Sequence, residues 1–138
     1  MSNPHERLLA EWQERPHHKD EVFISDGMID PERWEESSKR RILFLLKEAY
    51  DEPDSSESWD LCSLIRDVWK GPKYKLWLTA AYWAYALQQY DCSRIPSFPT
   101  YDSVWGDSGE KPREALLCSS VVNIKKSRGR SSSTVSHF

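Results

Sequence analysis

Residues 41 to 46 read RILFLL, with Ile, Leu and Phe following one another and no polar alternation. A strand with one wet face alternates apolar and polar residues. A short unbroken apolar run instead marks a strand covered on both faces, as in a parallel sheet. A second run, ALLCSSVVNI over residues 115 to 124, has the same character. The sequence between them is helical in period, so the connection is a helical crossover. Strands joined this way pair in parallel, with right-handed connectivity. The expected fold class is therefore α/β, a mainly parallel sheet flanked by helices, with strands at about 41–47 and 115–124 as neighbours.

The remaining elements follow from caps and periodicity. Asn3-Pro4 is an N-cap followed by Pro at the first helical position, and Leu8, Leu9 and Trp12 repeat at helical spacing. Residues 4 to 15 are thus expected as a helix that Pro16 ends. VFISDGMID is extended with an Asp-Gly turn, and Asp30-Pro31 opens a second short helix, PERWEESSKR. Ser58 caps a helix over 59 to 70, whose Leu61, Leu64, Ile65, Val68 and Trp69 fall on one face. Residues 73 to 90 form a longer helix that is apolar almost all round, which predicts burial on more than one side. Residues 91 to 113, punctuated by Pro and Gly, read as a long loop. The expected organisation is a single α/β domain over 1–124 and a basic, Ser-rich tail over 125–138.

Charge is uneven along the chain. The net charge is −3, which argues against a generally basic nucleic-acid binder. Residues 48 to 60 nevertheless hold six acids and no base, whereas residues 119 to 138 hold Lys125, Lys126, Arg128 and Arg130 and no acid. Cys62, Cys92 and Cys118 are widely spaced and form no C-x-x-C, so no zinc or iron–sulfur signature is present. The odd count predicts a reducing, cytoplasmic setting. No apolar run approaches the roughly 20 residues of a membrane span, so no membrane partner is expected.

Parallel pairing brings the carboxyl ends of both strands, KEAYDEP and NIKKSRG, to one sheet edge, where α/β sheets bind ligands. Lys125, Lys126, Arg128 and Arg130, with Gly129 and the serines, suit a phosphate-contacting loop; the plain alternative is a solvated basic terminus. Asn123 has the donor and acceptor to read a base edge, or it pairs with its own backbone at a strand end. The acidic loop after Glu48 reads equally as solvated surface.

RILFLLKEAYDEP resembles the first signature of the uracil-DNA glycosylase superfamily, in which a buried strand delivers a turn such as G-Q-D-P-Y or G-E-A-P-G that positions the hydrolytic water. ALLCSSVVNIKKSRGRSS resembles the next core strand and its polar loop. The likeness covers about residues 22 to 130 and is nearest to uncharacterised bacterial members. It implies hydrolysis of an N-glycosidic bond in DNA without a cofactor or metal. Glu48 falls on the Glu of G-E-A and would position the water, with Asp51 or Asp54 as its alternate. Tyr50 stands where those branches carry Pro and would stack on a flipped base. Ser119 or Ser120 falls where the family places a base-reading Asn. The family's later strands would lie after residue 138, so the resemblance implies a chain truncated after the second core strand.

A rival expectation is a non-catalytic fragment that acts as an interaction module. A sheet short of its later strands leaves edges and apolar faces open. The Trp-rich helix over 73–90 would then be covered by a second copy or by a partner chain.

Overall fold

A computed structural model describes residues 4–16, 22–50, 57–68, 75–90, 92–93 and 110–129, with the backbone alone at 48–50, 68, 75 and 128–129. The fold is mixed α/β. Helix α1 spans Pro4–Gln13, strands β1 and β2 are Ile24–Ser25 and Gly27–Met28, and helix α2 is Pro31–Glu36. Strand β3 covers Leu43–Tyr50 and β4 Trp59–Asp60. Helix α3, Leu61–Ser63, widens into a π-helical turn at Leu64–Val68. Helix α4 covers Lys75–Gln89, helix α5 Glu110–Leu117, and strand β5 Ser120–Gly129.

The expected cap of α2 is present: the Asp30 carboxylate accepts from the Arg33 N–H at 3.2 Å, and Pro31 opens the helix. The helix ends at Glu36 rather than Arg40, where Ser37 takes an extended conformation. Of the regular helix expected over 59–70, residues 59–68 are instead a two-residue strand, one α-turn and a π-turn, and 69–70 lie outside the described residues.

The larger sheet has the order β2-β5-β3, and β1 pairs with β4 in parallel. The Ser120 N–H donates to the Ile42 carbonyl at 2.9 Å, joining the starts of β5 and β3. Two neighbouring strands that pair from a common start run parallel, as the crossover argument requires. On the other side of β5, the Ile29 N–H donates to the Ser119 carbonyl at 3.1 Å. The end of β2 thus meets the start of β5, and that pair is antiparallel.

Two further expectations need correction. Strand β3 is not covered on both faces: Leu43 and Leu45 are 57% and 64% exposed, whereas Phe44 and Leu46 are half-buried. Successive side chains of a strand point to opposite faces, so the face that carries Leu43 and Leu45 is the open one. The second strand does not cover 115–124. Ala115, Leu116 and Leu117 are buried residues of α5, which reaches back into the expected loop, with Pro112 in its first turn where a missing N–H costs nothing. The strand then runs on to Gly129, so Lys125, Lys126 and Arg128 are strand residues. Helix α4 is buried on more than one side, since Tyr82 is buried as well as Trp77, Ala80, Ala81 and Ala84, and Leu76, Trp83 and Leu87 form an exposed stripe.

Two compact units organise the described residues, one within 1–27, 45–61 and 122–138, the other within 28–44 and 62–121. In the second unit α4 packs on α5. Trp77, Ala80, Ala81 and Ala84 recur at i, i+3, i+4 and i+7 and are buried, and the small alanines permit close approach of the helices. Leu116 and Ile65 are almost fully buried there, each worth about 1.5–3 kcal/mol of apolar transfer. Leu76, Trp83 and Leu87 are exposed. The first unit has a smaller apolar core of Phe23, Ile24 and Leu61, and its buried residues also include Asp26, Asn123, Lys126 and Ser127.

Candidate functional site

The polar interior of the first unit begins at Asp26, between β1 and β2. Gly27 follows at φ 144, a conformation that favours glycine, and a Cβ there would stand 2.3 Å from the His5 ring. This close approach lets the first turn of α1 lie against the Asp26–Gly27 backbone.

Asp26 is 3% exposed, and its carboxylate accepts from the Asn123 N–H at 2.7 Å. Both its oxygens also receive the Lys126 Nζ at 2.5 Å. Lys126 is itself buried, with the Trp12 ring centroid 5.0 Å from Nζ. An ammonium taken from water needs this combination of counter-charge, hydrogen bonds and aromatic face, because its desolvation costs several kcal/mol. One carboxylate thus fixes both a cation and the backbone of Asn123.

The Asn123 side chain is the exception in this interior. The residue is fully buried, and among the described residues neither its Oδ1 nor its Nδ2 has a hydrogen-bond partner. Leaving such a group unmatched costs about 1–3 kcal/mol, so an amide of this kind is prepared to accept a partner that offers both a donor and an acceptor.

The other expected site residues are distributed as follows. Ser119 and Ser120 are buried in the second unit. The Ser119 Oγ donates to the Ala115 carbonyl at 2.8 Å, and the Ser120 Oγ lies 3.5 Å from the Ile42 carbonyl. Their hydroxyls serve the local chain. Lys125 is half-buried in β5 and has an interaction partner. Lys126 faces Asp26 rather than solvent. Glu48 and Tyr50 are among the last residues of β3, and Arg128 lies near the end of β5. Parallel pairing directs these strand ends to one edge. Asp51, Asp54 and Arg130 fall outside the described residues. Asp26, Trp12 and Gly27 belong to the cluster although no local motif announces them; the Asp-Gly turn is their one visible trace.

A second charged group lies in the other unit. Arg33 on α2 pairs with Glu114 on α5 and lies 3.2 Å from Asp30. Its guanidinium is held above its ordinary range, first by the hydrogen bond to Glu114, against a small opposing effect of burial. No group of three or more His, Cys, Asp or Glu that could hold a metal ion occurs among the described residues. No helix among them is long and apolar enough to cross a membrane.

Comparison of the chain with protein-family models, curated proteins and solved structures finds no match.

Proposed function

We propose that this chain recognises a base in DNA in the manner of the uracil-DNA glycosylase superfamily, with Asn123 as the base-reading amide. The observation that carries the reading is the buried, unpartnered amide of Asn123, on the strand that pairs in parallel with the KEAY strand. A uracil edge alternates acceptor and donor, which is what a side-chain amide complements. Asp26 holds the Asn123 backbone in place, and Glu48 at the end of β3 positions the hydrolytic water. Lys125, Arg128 and Arg130 contact phosphate. The Lys126 charge is matched by Asp26, so its share in phosphate binding is small. The reaction needs no cofactor: water attacks the sugar C1′, the N-glycosidic bond breaks, and the base leaves with the bonding pair. The free thiols of Cys62, Cys92 and Cys118 fit a cytoplasmic setting.

The test is an abasic-site cleavage assay on uracil-, hypoxanthine- and xanthine-containing DNA, single- and double-stranded, beside anisotropy titrations at several salt concentrations. Base release that Asn123→Ala and Glu48→Gln abolish supports the reading. Absence of both release and base-dependent binding ends it.

A second reading, a self-associating module, is favoured by the exposed Leu76, Trp83 and Leu87 on α4. These positions share a helical face. Light scattering of the unmodified chain at high micromolar concentration decides it: a dimer that Trp83→Ser dissociates supports self-association, and a monomer opposes it.

A further inference from the structure

Helix α1 lies over a buried charge. The Trp12 ring centroid stands 5.0 Å from the Lys126 Nζ, and the Lys126 side chain is 1% exposed. Yet none of the ten residues of α1 is itself buried. We propose that α1 is a displaceable lid, whose lifting opens the Lys126 ammonium to solvent and to a phosphate group without unfolding the rest of the chain. The lid regulates the phosphate contact of the DNA-reading proposal and rests on that proposal for its purpose. Its movement is tested without DNA.

The attachment of α1 is light. A helix of ten residues is marginal by itself in water, because nucleation is costly and few hydrogen bonds offset it. The helix therefore forms because it is docked. A cleft of about 430 Å³ separates Leu9 and Ala10, in the middle of its inner face, from Phe23 and Trp59. Its contacts fall instead towards its two ends, where the His5 ring lies against Gly27 and Trp12 covers Lys126. His5 and Glu6 have interactions besides, so the docked state is the resting one. The chain leaves α1 through a turn over residues 14–16, which serves as the hinge. Elements with little buried surface open at free energies below that of global unfolding.

Lifting α1 also strands no charge. Asp26 lies between β1 and β2 and Lys126 on β5, so the two partners stay together when α1 leaves. What breaks is the cation–π contact, and hydration of the ammonium offsets part of that loss. An ammonium has three donors. Nζ meets both Asp26 oxygens, and the Trp12 ring stands over it. With the ring removed, a donor becomes available to a phosphate oxygen beside Lys125.

The experiment treats the full chain with an acetylating ester and reads Lys126 by tandem mass spectrometry, at increasing urea below the unfolding transition. Opening confined to α1 exposes little surface, so the labelling rate should be nearly independent of urea there; exposure through global unfolding carries the full urea slope of the chain. Trp12→Ala should raise the Lys126 rate about tenfold without urea, with the slope still shallow. Leu8→Ala, at an exposed position of the same helix, should leave the rate unchanged. A Lys126 rate with the global urea slope, or one that Trp12→Ala does not raise, overturns the proposal. Urea-independent labelling in a chain that binds no DNA supports the lid and ends only the DNA-reading proposal.

Discussion

Asp26 and Lys126 form a buried ion pair between residues 100 positions apart, with side-chain exposures of 2% and 1%. Neither charge can relax into water when its partner is removed. Lys126→Met should therefore destabilise the chain by about 3–5 kcal/mol, most of it from the stranded carboxylate. The double variant Asp26→Leu/Lys126→Met should be less damaged than the sum of the two single ones. Urea unfolding of all four proteins gives the coupling, and additive losses would show that the pair is not formed.

Asn123 should behave in the opposite sense. Its amide is buried without a partner, so Asn123→Val removes an unmet polar group and places a β-branched side chain in a strand. The free protein should gain up to about 1 kcal/mol by thermal unfolding, while base-dependent binding is lost. A loss of stability instead would mean that the amide has a partner in solution.

Gly27→Ala carries two penalties that can be separated. Backbone strain at φ 144 should cost about 1–3 kcal/mol whatever surrounds it. The clash with the His5 ring adds to this until α1 shifts. In a double-mutant cycle His5→Ala should recover the steric part alone. Complete recovery would remove the conformational argument.

The exposed pair Arg33–Glu114 should matter little. Both side chains are more than a third exposed, so Glu114→Gln should cost under about 1 kcal/mol. The Arg33 pKa is raised, so its contribution is complete below the unfolded-state value and lost only as pH rises through the folded one. Both lie in strong alkali, and the effect of the substitution attributable to Arg33 should be flat between about pH 6 and 9. Urea midpoints across that range test it.

What the sequence discloses is local. Asp30-Pro31 announces α2, helical spacing from Leu76 to Leu87 announces α4, and the run Ile42–Leu46 announces β3. Coverage of a strand depends on what packs over each face, and the apolar Leu43 gives no sign that its face is open. The stretch KKSRG, residues 125–129, has a polar composition that reads as tail, yet it continues β5. It becomes strand because Asp26 supplies a counter-charge for Lys126. Helix α5 is hidden by Pro112, which looks like a loop marker until it is placed in the first turn. In the candidate site, Asn123 is visible as a strand-end amide, but its lack of a partner is a fact of packing. Asp26 and Trp12 show in advance only as a turn residue and a helix-face residue; their meeting at Lys126 is likewise a fact of packing.

The middle position of β5 between β2 and β3 also sets an order of events on the ribosome. Both flanking strands leave the exit tunnel long before the strand that joins them is made. Until then Asp26 has no cation, and the apolar residues of β3 have no hydrogen-bonded neighbour on the β5 side. The three-stranded sheet and the Asp26–Lys126 pair therefore close only after synthesis has passed Lys126.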